Sequence, residues 1–229
     1  MFDNKTPNPY LSTHKTGIEP TFFGKVMAFF GLAMLMSVVG VYVTNVYFMN
    51  VFINLPWLMY VLFAVELGLV FTSRMWSKKI PINRFLFALF AFITGVTIAP
   101  LIGIVAATPG GVAILTKALL ATGFMFSATA LIGWTTRRDL SGMRGFLLMA
   151  LIGMIVVGVI GIFVPWSNNF ELIFSGIGVI IFSAFTMYDF QKLKHYPEDR
   201  YIDAALNLYL DIFNLFLYIL RLLMALNRR

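Results

Sequence analysis

Polar and ionisable side chains recur along one side of an otherwise apolar segment near the C-terminus. They follow one another at steps of four, four, three, four and three residues: Asp203, Asn207, Asp211, Asn214, Tyr218 and Arg221. Leucine, isoleucine and phenylalanine residues lie between them. At about 100° per residue, these steps place the polar side chains on one narrow arc of an α-helix. Lipid cannot satisfy such a stripe, so we expect it to face protein or water.

A further acidic residue ends the preceding apolar segment. Asp189 lies on one helix face with Ser183 and Thr186, and a short polar stretch separates it from the segment that contains Asp211. Segments joined by a short loop pack as antiparallel neighbours, which allows the two aspartates to meet. Two carboxylates that meet in a low-dielectric site cannot readily both be ionised, and they titrate as one unit. Such a pair would respond to protons, and its ionised oxygen atoms would suit Ca²⁺.

Three polar residues within apolar segments, one of them outside this stripe, are candidates for an ion pathway. Glu66 sits in the middle of one segment, and a charged residue there costs at least about 2.5–3.5 kcal/mol on insertion scales. We expect Glu66 to point inward, where it either lines a pathway or forms a buried structural hydrogen bond. Asn207 and Asn214 are open to two interpretations, a pathway or a polar seam that joins helices.

The composition accounts for the rarity of such residues. The chain has 229 residues, of which 60% are hydrophobic and 12% are charged, and it has no cysteine. A soluble domain carries about 45–50% apolar and roughly 25% charged residues. The two histidines, His14 and His195, are too far apart for a histidine metal site. These features exclude an ordinary soluble enzyme and a disulfide scaffold, and they predict a polytopic membrane protein.

Seven apolar segments are candidates to cross about 30 Å of hydrocarbon. The predicted spans are residues 22–48, 57–73, 85–107, 112–134, 145–165, 170–190 and 203–225. The sequence therefore predicts an all-α membrane protein, a bundle of seven transmembrane helices with a polar seventh helix. Residues 1–20 are polar and predict a flexible cytoplasmic tail before a transmembrane domain of residues 21–229. Gly153, Gly158 and Gly161 are expected to permit close contact between helices.

The loop cations predict the orientation of the chain. Lysine and arginine cluster before the first span and in alternate loops, whereas the loops around residues 49–56, 108–111 and 166–169 hold none. The tendency of such residues to stay cytoplasmic places the N-terminus inside, in a multi-pass protein of the inner or plasma membrane. If the last predicted span crosses the membrane completely, Arg228 and Arg229 lie on the side opposite the cytoplasm. The alternative is that this segment enters the membrane and returns to the cytoplasmic side. Short basic clusters without a continuous basic face argue against a nucleic-acid partner.

Four stretches of the chain resemble the Bax-inhibitor family, also called the transmembrane Bax inhibitor motif family, and its bacterial members in particular. They are residues 134–143 (WTTRRDLSGM), 149–153 (MALIG), 188–194 (YDFQKLK) and 208–216 (LYLDIFNLF). The resemblance runs from about residue 20 to the end of the chain. It implies six helices around a central, more polar seventh helix, and it implies a proton-sensitive Ca²⁺ leak.

The resemblance also assigns roles to individual residues. The aspartate pair of the family looks like Asp189 and Asp211, as a pH sensor and gate that could bind Ca²⁺, and its glutamate in the second span looks like Glu66. The arginine that partners the aspartates has two candidates here, Arg74 and Arg84.

Together, the residues and the resemblance predict a pH-sensitive Ca²⁺ leak channel that is not an enzyme. Ca²⁺ is expected as the transported ion, the lipid bilayer as the surroundings, and no cofactor. The alternative is a non-transporting interaction protein that modulates a membrane-bound AAA protease, a role linked to bacterial relatives. An aspartyl intramembrane protease is disfavoured because the sequence lacks Gly-x-Gly-Asp.

Overall fold

The structure is a computed structural model that describes residues 20–228, and the regular structure in this range is helical. The helices are α1 (Pro20–Val43), α2 (Met49–Asn54), α3 (Trp57–Phe71), α4 (Ser73–Trp76), α5 (Ile82–Ala107), α6 (Gly111–Thr135), α7 (Met143–Phe163), α8 (Asn168–Lys192) and α9 (Tyr201–Asn227). A π-helical turn (Thr44–Phe48) makes α1 and α2 continuous. Short 3₁₀ turns at Leu193–His195 and Glu198–Arg200 connect α8 to α9. The predicted tail lies outside the described residues, except for Pro20, which begins α1.

Six of the predicted spans correspond to helical segments that are long and apolar enough to cross a membrane. Within residues 20–228 these are Thr21–Asn54, Ile82–Ala107, Gly111–Thr135, Met143–Gly161, Asn168–His195 and Glu198–Asn227. The predicted second span, residues 57–73, instead forms α3 with only 15 residues. At 1.5 Å per residue this helix is about 22 Å long, which is short of the roughly 30 Å of hydrocarbon. Length and composition therefore support six spans, and the predicted count of seven is not confirmed.

The last helix, α9, packs against α8, α1, α6 and α5. Its side chains Ile202, Leu208, Tyr209, Leu215 and Leu220 are almost fully buried. The helix is continuous from Tyr201 to Asn227, so it does not dip in and return. Beyond its C-terminal end, Arg228 Nη1 lies 3.1 Å from Glu171 Oε2 near the start of α8. The antiparallel arrangement of α8 and α9 follows from this contact and from their short connection.

Glycines allow two pairs of helices to approach closely. A Cβ atom on Gly95 of α5 would lie 2.1 Å from the Ser37 carbonyl oxygen of α1, and one on Gly133 of α6 would lie 2.2 Å from the Met187 carbonyl oxygen of α8. The glycines expected to serve this purpose are in α7, and for Gly153 and Gly158 no described atom of another helix lies within 4 Å of such a Cβ. That expectation was wrong for these two residues because α7 is a peripheral helix whose contacts within the bundle are mainly to α8.

Candidate functional site

The structure brings Asp189 and Asp211 together at the contact between α8 and α9. Asp189 lies in the last turn of α8, and Asp211 lies in the middle of α9. Their exposed fractions are only 7% and 4%, and the two carboxylates interact electrostatically. Oδ2 of Asp211 is buried and has no hydrogen-bond partner within residues 20–228. A buried pair of acids with one unsatisfied oxygen atom therefore lies between these two helices.

Lys192 supplies a cation to the aspartate pair. Its Nζ atom lies 3.9 Å from Asp189 Oδ1, one helical turn away, and it also interacts electrostatically with Asp211. The ammonium group packs over the ring of Tyr196 at 4.9 Å from the centroid and over that of Tyr188 at 5.8 Å. We did not identify Lys192 from the sequence, although its spacing of three residues from Asp189 on one helix is a readable signal.

Asn207 joins α9 to this cluster. Its side chain hydrogen-bonds Asp189 and donates from Nδ2 to the Tyr196 hydroxyl at 2.9 Å. Tyr196 lies in the connection between α8 and α9, outside the candidate spans. Burial, and to a smaller extent the nearby Asp189 carboxylate, raise the pKa of Tyr196. Its hydroxyl therefore stays protonated at every pH at which the aspartates could titrate.

Asn214, the other predicted asparagine, makes a different interaction. Its Nδ2 atom donates to the Leu210 carbonyl oxygen of its own helix at 2.8 Å. The side chain is half-buried, and this bond joins it to no other helix. Of the two predicted asparagines, Asn207 contacts the aspartate pair through a hydrogen bond, whereas Asn214 bonds only to its own backbone among the residues described.

Glu66 lies in a separate polar cluster where α3, α5, α9 and α1 meet. The glutamate is buried, and its Oε1 atom accepts a hydrogen bond from Thr97 Oγ1 at 2.7 Å. It also interacts electrostatically with Tyr209, whose hydroxyl lies 2.7 Å from Ser37 Oγ. Tyr209 and Asp211 are two residues apart, so they point about 200° apart around α9. The Glu66 cluster and the aspartate pair therefore lie on opposite sides of this helix.

Neither arginine considered as a partner of the aspartates reaches them. The Nε atom of Arg84 donates to the Tyr201 hydroxyl at 3.2 Å, and its guanidinium group lies 5.6 Å from the centre of the Phe29 ring. Arg74 is exposed and lines a cavity at the end of the bundle where Arg144, Lys192 and Arg200 also lie, which we call the cation-rich end. Among the described residues the ion pair of Asp189 is with Lys192. The lysine thus lies where an arginine was expected.

The pair alone does not form a resident metal site. Within the described part of the chain, no three histidine or acidic side chains come together as metal ligands. Ca²⁺ takes six to eight oxygen ligands, and two carboxylates supply at most about four. The donor chemistry fits Ca²⁺, but water would have to complete the coordination shell.

The acidic residue of the loop between α6 and α7 is Asp139, and its hydrogen bonds in the described structure are local rather than to the aspartate pair. Asp139 accepts hydrogen bonds from the backbone nitrogen and the hydroxyl of Ser141, and these bonds lower the pKa of Asp139. Its carboxylate is therefore ionised throughout the neutral and mildly acidic range. The same loop contacts α8 through Gln191, which accepts from Leu140 N at 2.8 Å and donates to the Arg138 carbonyl oxygen at 2.6 Å.

Comparison with known proteins identifies related proteins of bacteria and of a virus, one of them an inner membrane protein. The inner membrane protein YbhL of Escherichia coli K12 is 35% identical over 176 residues, which are 70% of this chain and 72% of that protein. An uncharacterized protein of Campylobacter jejuni is 30% identical over 208 residues, 91% of this chain and 90% of that protein. The Golgi anti-apoptotic protein of vaccinia virus strain Lister is 32% identical over 165 residues, 72% of this chain and 67% of that protein.

A family model matches nearly the whole chain. Its description is inhibitor of apoptosis-promoting Bax1, and it covers residues 19–229. This range includes every helix described above and both polar clusters. With the apolar helices and the relatives, the match shows that this chain is a multi-pass membrane protein belonging to the Bax-inhibitor family.

Proposed function

We propose that this protein is a pH-sensitive Ca²⁺ leak channel whose gate is the pair Asp189 and Asp211. The observation that carries the proposal is the burial of both carboxylates at the contact between α8 and α9, where they interact electrostatically. The side chains that face them are Lys192 and Asn207, with Tyr196 beside them. Apolar residues would hold these two helices together at lower cost, so stability alone does not account for a buried acid pair.

The chemistry of the pair supplies the proton dependence. An ionised carboxylate buried with an unpaired oxygen atom is costly, and two adjacent charges repel. One shared proton removes one of the two negative charges. It also allows the unpaired oxygen atom of Asp211 to form a hydrogen bond, as the donor if Asp211 holds the proton or as the acceptor if Asp189 holds it. A single cation, Lys192, then balances the remaining negative charge. The closed conformation is therefore the state in which the pair holds one proton.

Opening follows from a change in the charge of the pair. When both aspartates are ionised, one partly exposed lysine cannot compensate both negative charges. The carboxylates then either separate α8 from α9 or attract a divalent cation. Ca²⁺ bound between the carboxylates with water would balance their charge and then move on. In the described conformation both carboxylates are almost fully buried, which supports its assignment as closed.

Glu66 lines or stabilises the remainder of the route in this proposal. It supplies a second carboxylate site on the opposite side of α9, next to Thr97 and Tyr209. The proposal makes α9 the central helix of a seven-helix bundle, with α3 as a short second membrane segment. The cation-rich end then faces the cytoplasm of a cell whose inner or plasma membrane holds the protein.

The direct test is Ca²⁺ flux from liposomes that contain the purified full-length protein, measured between about pH 5 and pH 8. We expect flux with a pH midpoint that Asp211→Asn moves to lower pH, because the remaining acid no longer has a like-charged neighbour. Asp139→Asn is the matched control, since Asp139 is ionised over this whole range and makes only a local turn. Its profile should match that of the unmodified protein.

The same measurement separates the alternative function. An unmodified protein that carries no Ca²⁺ at any pH would favour the non-transporting role, in which residues 1–20 engage a membrane-bound AAA protease. Deletion of those residues would then abolish modulation of the protease. Intact flux after the deletion, with protease modulation lost, would show that binding is a separate function.

A further inference from the structure

A cavity of about 560 Å³ opens at the cation-rich end of the bundle, next to the aspartate pair. Four of the chain segments that line it each carry a cation: α4 with Arg74, the first turn of α7 with Arg144, the end of α8 with Lys192, and the connection to α9 with Arg200. One carboxylate, Asp203, also lines the cavity. Counting these groups, the cavity wall carries a net charge of +3.

Two of the four cations are already engaged. Arg200 Nε lies 3.4 Å from Asp203 Oδ2, and Lys192 Nζ lies 3.9 Å from Asp189 Oδ1. Arg74 and Arg144 are exposed, and neither side chain has an ion pair or a hydrogen bond among residues 20–228. Two guanidinium groups from distant parts of the sequence thus line one concave space without a counter-charge in the described structure.

Residues 1–19 carry no net negative charge. They contain Asp3 and Glu19, but also Lys5 and Lys15, so their acidic and basic residues balance. The repulsion between converging cations would be relieved by an external anion. Guanidinium groups bind phosphate oxygens through two parallel hydrogen bonds, which gives geometric selectivity as well as affinity. The volume of the cavity lies in the range of small-molecule sites.

We propose that this cavity binds a phosphate-bearing anion, held chiefly by Arg74 and Arg144. Its position at the cation-rich end of membrane helices suits two sources of the same chemistry, the headgroup of an anionic lipid or a free polyphosphate. The proposal concerns binding and does not depend on ion conduction. A divalent cation is an unsuitable occupant because four positive side chains oppose one carboxylate.

The test compares two double variants of the full-length protein in phosphatidylcholine nanodiscs. Arg74→Gln with Arg144→Gln removes the two unpaired cavity arginines. Arg137→Gln with Arg138→Gln removes the same charge from exposed residues at the same end of the bundle that do not line the cavity. Because all four side chains are exposed, we expect each variant to fold, and circular dichroism checks this.

One arm titrates inorganic pyrophosphate by calorimetry in about 0.15 M salt, which screens weak surface attraction. The other arm adds phosphatidylglycerol to the nanodiscs and measures thermal stabilisation of the protein. We expect at least one probe to bind. In the cavity variant, the affinity for pyrophosphate should fall about tenfold, which is about 1.4 kcal/mol, or most of the thermal stabilisation by phosphatidylglycerol should be lost. In the surface variant both should be unchanged. Arg74→Lys with Arg144→Lys should restore part of the binding.

The arm that responds identifies the source as a free anion or a lipid headgroup. Equal weakening in both double variants would reduce the effect to general surface charge and overturn the proposal. Binding of neither probe to the unmodified protein would overturn it as well. Neither result depends on whether the protein conducts Ca²⁺, so this proposal and the channel proposal fail independently.

Discussion

Lys192 Nζ lies 3.9 Å from Asp189 Oδ1, so the last residue of α8 brings a positive charge to a buried carboxylate. The aromatic rings of Tyr188 and Tyr196 hold the ammonium group over their faces. The side chain of Lys192 is 38% exposed, whereas the side chain of Asp189 is 9% exposed. The cation therefore lies between water and the pair, and solvent weakens its effect on the carboxylates.

Removal of this cation tests its electrostatic role. Lys192→Met keeps the apolar stem but takes away the charge that favours the ionised pair, so the pair should keep its proton to higher pH. We expect the pH midpoint of Ca²⁺ flux to rise by about half to one unit, less than for a fully buried ion pair because of solvent screening. Lys79→Met, at an exposed position without an ion pair among the described residues, is the control. A midpoint unchanged by Lys192→Met would show that the lysine does not act on the pair.

The two asparagines of α9 form a matched pair for the next prediction. Asn207 hydrogen-bonds Asp189, whereas Asn214 bonds its own backbone. Asn207→Ala removes a donor that favours the ionised carboxylate, so the flux midpoint should move to higher pH. Asn214→Ala should leave the midpoint in place. Equal shifts in both variants, measured in the same liposomes, would mean that general loosening of α9 causes the effect.

The hydrogen bond between Thr97 and Glu66 predicts an effect on stability. Thr97→Val leaves the buried glutamate without this donor, and an unsatisfied buried acceptor costs about 1–3 kcal/mol. We expect a lower Tm in detergent for Thr97→Val. The double variant Glu66→Leu with Thr97→Val should recover most of the loss, because both polar partners are gone. Failure of the double variant to recover would indicate that packing at Thr97, rather than the bond, sets the stability.

Gly133 predicts how tightly α6 and α8 must pack. A methyl group there would meet the Met187 carbonyl oxygen at 2.2 Å, and a backbone atom cannot move aside without shifting its helix. Gly133→Ala should therefore lower stability by about 1–3 kcal/mol, seen as a lower Tm. At Gly123 in the same helix, no described atom of another helix lies within 4 Å of an added Cβ, so Gly123→Ala should be neutral or slightly stabilising. A Tm for Gly133→Ala equal to that of Gly123→Ala would contradict the close crossing.

The sequence predicts most of the helices because apolar runs and their breakers are local features. The last span was predicted at residues 203–225 and forms Tyr201–Asn227. The second span fails the length criterion because its helix ends at Phe71, where Thr72 Oγ1 donates to the Gly68 carbonyl oxygen at 2.6 Å. The π-helical turn at Thr44–Phe48 has no pattern in the sequence that distinguishes it from the α-helix around it.

The candidate site is predictable only in part. Asp189 and Asp211 stand out because charged residues are rare in apolar runs, and a short loop suggests that their helices are neighbours. The contacts of Asn207 with Tyr196 depend on the conformation of that loop, which no periodicity encodes. The bond between Glu66 and Thr97 depends on the pairing of α3 with α5, which a single sequence does not specify.

The central claim is that Asp189 and Asp211 act as one proton-binding unit. The most direct measurement is the pH dependence of Ca²⁺ flux for four proteins: unmodified, Asp189→Asn, Asp211→Asn and the double variant. The account predicts that each single variant moves the midpoint to lower pH, and that the double variant shows no transition between about pH 5 and pH 8. A double variant that keeps the transition of the unmodified protein would contradict it.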